Sequence, residues 1–103
     1  MQDRSSPRHS VTIIGNYRSG SGLKRQVTMT DLSETGCRFY DRRSVLQIGS
    51  TLTLRIQTLG PFDAIVKWMS EDRVGVQFAN PIYGPVFEHI KNTLDNSDWR
   101  PPA

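Results

Sequence analysis

Two short motifs carry the side chains whose types and spacing could do chemistry in this sequence of 103 residues. The first is Arg4-Ser-Ser-Pro-Arg8, where Pro7 and the two serines disfavour a helix. In a non-helical segment, two guanidinium groups at this spacing can close around an anionic ligand, because each presents a planar fork of N–H donors. The pattern alone is weak, since about one such pair is expected by chance, and Arg38 and Arg42 share the spacing.

The second motif is Asp31-Leu-Ser33-Glu-Thr-Gly36, at a break between two strand-like segments. It is more specific, because the residue frequencies predict roughly 0.08 chance matches to its pattern. A carboxylate accepts hydrogen bonds from ligand N–H groups, a hydroxyl can reach phosphate, and a glycine allows close approach to the backbone. The structural alternative is a tight turn, in which Asp31 and Ser33 bond local backbone amides and Gly36 supplies a positive φ.

The sequence contains little that indicates a catalytic site or a metal-binding site. Ser33, Asp31 and His9 could be drawn as a triad, but no nucleophile-elbow pattern surrounds Ser33. The single cysteine, Cys37, and two distant histidines form no metal-ligand spacing, and one cysteine permits no intramolecular disulfide. We therefore expect a protein that is not an enzyme and that uses neither a metal nor a cofactor.

Positive charge is concentrated near the N-terminus. Residues 1–25 carry five basic side chains and one acidic side chain, whereas the whole chain has a formal net charge of +3. That charge is too small to indicate a nucleic-acid polymer as partner by itself. No apolar run approaches the ~18 residues of a membrane span, and the N-terminus lacks an apolar signal region. We expect a cytoplasmic protein with no membrane contact.

Hydrophobic alternation predicts six short strands, and helical spacing predicts one helix after them. The strands are expected at 9–17, 24–31, 37–40, 51–58, 64–69 and 74–78, with a turn at 59–62 and a helix from about Pro85 to Asp95. We predict a mainly β fold, a small six-stranded antiparallel β-barrel with a C-terminal α-helix, in a single domain. Residues 1–8 are expected to form a flexible arm, 9–95 the barrel plus helix, and 96–103 a loose tail.

The two motifs, in this order around the first two strands, resemble the PilZ domain family, whose known members bind the bacterial second messenger cyclic di-GMP. The resemblance extends from about Asp3 to Leu94. Val66-Lys-Trp68 and Val74-Gly-Val-Gln-Phe78 look like the last two barrel strands of that family, and the closing helix fits as well.

The resemblance implies a receptor that binds cyclic di-GMP, changes conformation and signals to a downstream protein. The residues implied to bind the nucleotide are Arg4, Arg8, Asp31, Ser33 and Gly36. Trp68 is a further candidate because an indole offers a stacking face, with a barrel-core or strand-surface role as the alternative. Arg38, just past Gly36, either points at the same site or into solvent.

Two other functions stay open on the sequence alone. The first is an adaptor of the same fold that works by protein contact without the nucleotide. The second, less supported, is a small β-barrel that binds single-stranded nucleic acid, since such proteins pair a basic groove with stacking aromatic residues. No strand here is rich in aromatic residues with interleaved bases.

Overall fold

A computed structural model describes residues 9–93, which form six β-strands followed by one α-helix. The elements are β1 (His9–Ser19), β2 (Lys24–Leu32), β3 (Gly36–Tyr40), β4 (Thr51–Ile56), β5 (Leu59–Ser70), β6 (Arg73–Phe78) and α1 (Gly84–Thr93). The predicted arm 1–8 and tail 96–103 lie outside the described residues, as do Leu94 and Asp95 at the expected end of the helix.

The strands close into an antiparallel barrel in the order β1-β2-β3-β6-β5-β4. Closure comes from β1, which pairs with β2 along one side and with β4 along the other. Each strand therefore has a hydrogen-bonded neighbour on both sides, although β1 pairs with β4 only over Asn16–Ser19. The predicted mainly β fold, a six-stranded antiparallel barrel with a C-terminal helix, is confirmed.

Alternate residues of each strand point inward and fill the barrel with apolar side chains. The largest fully buried ones include Tyr17, Phe39, Ile13, Met29, Leu54 and Ile56. Phe87 and Ile90 of α1 are buried in the same core, which is what stabilises a ten-residue helix that would be marginal in isolation. Cys37 is also buried there, and burial raises the pKa of its thiol to about 12.

The predicted turn at 59–62 is wrong. Strand β5 begins at Leu59, and the reversal of the chain occurs at Gln57 and Thr58, with Gln57 at a φ of 57°. Gly60 and Pro61 are strong turn signals, but here they lie within β5 next to a register shift in its pairing with β4. Gly60 has a φ of 108°, so it absorbs the local distortion without interrupting the strand.

One buried polar cluster ties the 41–50 segment to the barrel. The hydroxyl of Tyr17 donates to Oδ2 of Asp41 at 2.7 Å, and Nε of Arg25 lies 3.2 Å from Oδ1 of the same carboxylate. Arg25 also donates to the backbone carbonyl of Arg42 at 3.0 Å. Burial, followed by the hydrogen bond to Asp41 and its charge, raises the pKa of Tyr17 above its usual value of 10.0.

This cluster predicts a loss of stability at alkaline pH. Since the folded-state pKa of Tyr17 is raised, its contribution is fully present below pH ~10 and declines as the pH rises above that. Tyr17→Phe should lower the free energy of unfolding at pH 7 by about 1 kcal/mol, and the difference from the parent protein should shrink above pH ~10. Urea unfolding at several pH values measures this, with Tyr83→Phe, at a side chain 73% exposed, as the control. A difference independent of pH would contradict the expected titration.

Candidate functional site

A row of directly paired residues crosses five strands of the barrel and contains three of the predicted site residues. Ser10 on β1 pairs with Asp31 on β2, which pairs with Arg38 on β3. Arg38 pairs in turn with Gly75 on β6, and Gly75 pairs with Trp68 on β5. Arg38 lies between the core residues Cys37 and Phe39, and Gly75 lies between Val74 and Val76. The row therefore lies on the outer surface of the barrel.

Asp31 reaches that outer surface because of an irregularity in β2. Met29 pairs with Phe39 and Asp31 pairs with Arg38, so Thr30 is an extra residue between two consecutive pairs. Strict alternation from the buried Met29 would place the carboxylate in the core. The extra residue reverses the alternation, so that Leu32 enters the core and Asp31 faces outward.

The same device positions Trp68. Val66 pairs with Val76 and Trp68 pairs with Gly75, so Lys67 is the extra residue on β5. Val66 is buried in the core, and without the irregularity the indole would point inward as well. Trp68 is therefore a half-buried residue of the outer surface, and the alternative of a barrel-core tryptophan is wrong.

Arg38 connects the carboxylate and the indole. Its guanidinium forms an ion pair with Oδ2 of Asp31, and its Cζ lies 5.9 Å from the centroid of the Trp68 ring. Asp31 is only 4% exposed, so the ion pair is partly shielded from solvent. Arg38 thus points along the row towards Asp31 and Trp68, with its side chain still partly exposed to solvent.

Ser33 organises the turn that joins β2 to β3. Its Oγ accepts hydrogen bonds from the backbone N–H groups of Thr35 and Gly36, both at 3.2 Å. Its own N–H donates to the carbonyl of Gly36 at 2.9 Å. The structural expectation that Ser33 bonds local amides is confirmed, whereas the carboxylate of Asp31 pairs with Arg38 instead.

Gly36 is needed for a different reason from the positive φ expected of it. Among residues 9–93 the glycines with positive φ are Gly22, Gly49 and Gly60, so that expectation is wrong. A Cβ on Gly36 would collide with the carbonyl oxygen of Val76 on the neighbouring strand. The requirement for glycine therefore comes from the close approach of β3 and β6.

The match to the PilZ domain family model covers residues 2–95. The chain belongs to the PilZ domain family. This is a family of cyclic di-GMP-binding domains, and the resemblance drawn from the two motifs is confirmed. A comparison with curated proteins found no match.

In this PilZ domain, the second motif lies partly in the row and partly beside it. Asp31 belongs to the row, and Ser33 and Gly36 close the adjoining turn. Arg4 and Arg8 of the first motif lie outside the described residues. Within residues 9–93, no three His, Cys, Asp or Glu side chains are grouped so as to hold a metal ion. No helix of that part is long and apolar enough to cross a membrane.

Gly75 is a site residue that the sequence analysis missed. A Cβ at this position would collide with the Cε2 and Nε1 atoms of Trp68. The indole can therefore lie flat against β6 only because residue 75 has no side chain. The signal that could have found it is a glycine inside the predicted strand 74–78, which is typical of a close approach by another group.

Gly36→Ala tests whether the close packing of β3 against β6, in the absence of any ligand, is enough to require glycine at this position. The new methyl group would push against the Val76 carbonyl, so we expect a loss of about 1–3 kcal/mol in unfolding free energy. The matched control is Gly20→Ala, where the nearest atoms to the new Cβ are 3.6 Å away. Thermal unfolding of both variants without ligand measures the difference, and equal melting temperatures would contradict the explanation.

Proposed function

We propose that this PilZ domain is a cyclic di-GMP receptor without enzymatic activity, which acts in the cytoplasm and passes its bound state to a protein partner. The residues proposed to bind the nucleotide are Arg4, Arg8, Asp31, Ser33 and Gly36, with Arg38 and Trp68 as further contacts. The observation that carries the proposal is the outward-facing Asp31, which lies beside the start of β1 with Arg38 and Trp68 next to it.

The connection between the two motifs supports a shared site. Arg8 is two residues before Ser10, and Ser10 pairs directly with Asp31. Two residues of chain span at most about 7 Å, and paired Cα atoms are about 5 Å apart. The length of the chain thus keeps Arg8 within reach of the second motif, since an arginine side chain extends further still. Arg4 follows on the same segment.

The chemistry of the site fits a ligand with two phosphates and two guanines. The Asp31 carboxylate can accept from the N1–H and N2–H₂ donors of a guanine. Arginine forks can bind phosphate oxygens or the O6 and N7 atoms of guanine, and they can stack on a base. The hydroxyl of Ser33 adds a donor near the turn, at the end of β2.

The ion pair of Asp31 with Arg38 suggests how the site responds to the nucleotide. Arg38 binds Oδ2 of Asp31, and a guanine that donates from both N1–H and N2–H₂ to the two carboxylate oxygens competes for that atom. In this proposal the guanine displaces the guanidinium. The displaced Arg38 is then available for a phosphate or for the base. Its departure also uncovers the face of Trp68, on which a guanine can stack.

Signalling follows from the arm that carries the two motif arginines. When the nucleotide binds both Asp31 and these arginines, residues 1–8 are held against the outer surface of the barrel. The surface presented to a partner then differs between the free and the bound protein, and the partner selects one of the two states.

Calorimetric titration with cyclic di-GMP tests the proposal. Arg8→Ala and Asp31→Asn should each weaken binding by about 10- to 150-fold, because each loses a charge-assisted hydrogen bond of about 1.5–3 kcal/mol. Arg42→Ala is the matched control, since this exposed arginine lies outside both motifs. Absence of heat and of a thermal shift with the parent protein at high ligand concentration would overturn the proposal.

The exchange at Arg38 has an optical test. In a Trp99→Phe protein, the fluorescence arises from Trp68 alone. Cyclic di-GMP should change its emission with the same midpoint as the calorimetric titration, because the guanidinium above the indole is replaced by a base. Unchanged emission at saturating nucleotide would show that Arg38 stays in place and that the exchange is wrong.

A further inference from the structure

A second cluster of charge, composed of Arg18, Lys24 and Arg55, lies on the outer surface away from the row. Arg18 on β1 pairs directly with Lys24 on β2. Arg55 on β4 pairs with Asn16, two residues from Arg18 along β1. Arg18 and Arg55 are therefore diagonal neighbours, about 7–8 Å apart. All three side chains are exposed.

The arrangement is unfavourable for the isolated domain. Like charges directly opposite each other on paired strands destabilise a sheet. Within residues 9–93, the ion pairs formed are those of Arg25, Arg38 and Lys91, and none involves this cluster. An acid on the same face is Asp63 of β5, which pairs with Thr53 of β4. Asp63 is a diagonal neighbour of Arg55 and lies two strands, about 10 Å, from Arg18. Asp63 thus offsets part of the charge of Arg55, whereas Arg18 and Lys24 form no ion pair within residues 9–93.

The cluster also lines a concave surface. Arg18, Lys24 and Arg55 border a groove of about 490 Å³. Asn16 and Thr53 line the same groove and provide uncharged hydrogen-bonding groups. A multiply anionic group seated there would meet three cations and would remove the repulsion between Arg18 and Lys24.

The groove is separate from the row that contains Asp31. Arg18 lies eight residues after Ser10 on the same strand, which corresponds to about 26 Å along β1. A nucleotide bound at the row therefore leaves the groove accessible.

We propose that the groove of Arg18, Lys24 and Arg55 binds an acidic segment of a partner protein, with Asp or Glu side chains paired to the three cations. Pro61 lines the same groove and provides an apolar contact. Three cations are few for a nucleic acid, whose binding typically neutralises 6–10 phosphates, and the groove exposes no aromatic ring for base stacking.

The inference rests on the proposed function in one respect, namely that the partner would be the protein that reads the nucleotide-bound state. The binding of an acidic segment is itself independent of the nucleotide. The two ideas can therefore fail separately.

The test uses the full chain and a fluorescein-labelled synthetic peptide of glutamates alternating with glycines. A matched peptide has glutamine at each glutamate position. Fluorescence anisotropy at low and high salt measures affinity, and ¹⁵N chemical shifts locate the bound peptide. The variant Arg18→Gln/Lys24→Gln/Arg55→Gln removes the cluster. The control variant Arg42→Gln/Lys67→Gln/Arg73→Gln removes the same number and kind of exposed charges elsewhere.

We expect shifts centred on Arg18, Lys24 and Arg55, and an affinity about tenfold lower for the cluster variant, since three exposed charge pairs amount to about that change. The control variant should bind the glutamate peptide with the affinity of the parent protein, which would show that the position of the charges matters. The glutamine peptide should bind more weakly than the glutamate peptide, which would show that the negative charge matters. Equal losses in the two variants would overturn the proposal by revealing a bulk charge effect. Tighter, cluster-dependent binding of phosphatidylserine-containing vesicles or of an oligothymidylate would overturn it in favour of those partners.

Calorimetry with cyclic di-GMP on the cluster variant separates this inference from the proposed function. Nucleotide affinity should be unchanged, because the groove lies far from Asp31 along β1. Peptide binding without nucleotide binding in the parent protein would contradict the receptor function alone. Nucleotide binding with no cluster-dependent peptide binding would contradict the groove alone.

Discussion

The ion pair between Asp31 and Arg38 is the interaction on which the candidate site depends. A carboxylate buried to this extent needs a charged partner or hydrogen bonds, because an unpaired one would be strongly destabilised. Arg38 supplies that partner from the adjacent strand and brings its guanidinium over Trp68. The part of the candidate site within the barrel wall is thus held together without a ligand. A ligand that offers its own N–H donors to Asp31 would give the carboxylate hydrogen bonds in place of Arg38.

Because the barrel is closed, the replacement of Arg38 by a ligand is expected to leave the positions of the strands unchanged. Every strand is paired on both sides and its interior is filled with apolar side chains, so a shift of one strand would disturb all the others. The cluster of Tyr17, Asp41 and Arg25 holds the 41–50 segment to the same body. The proposed response to the nucleotide accordingly involves side chains on the outer surface and the segment before β1, while the barrel keeps its shape.

A single long strand connects the two surfaces described. Strand β1 begins beside Asp31 and ends at the cationic groove, since Ser10 pairs with Asp31 and Arg18 pairs with Lys24. Its rigid pairing on both sides maintains a constant distance between the proposed nucleotide site and the proposed partner site.

The alternation of apolar residues was sufficient to predict six strands, and helical spacing was sufficient to predict the helix. The two motifs together, Arg4-x-x-x-Arg8 and Asp31-x-Ser33-x-x-Gly36, were sufficient to indicate the family. These features are local, because each strand needs an apolar face and each motif is a few residues long. The outward direction of Asp31 and Trp68 was decided only by pairing, since an extra residue such as Thr30 or Lys67 is defined by the neighbouring strand it fails to pair with. The roles of Gly36 and Gly75 were likewise decided by atoms of neighbouring strands that lie close to them. The distance between two strands cannot be read from the residue pattern of either strand alone.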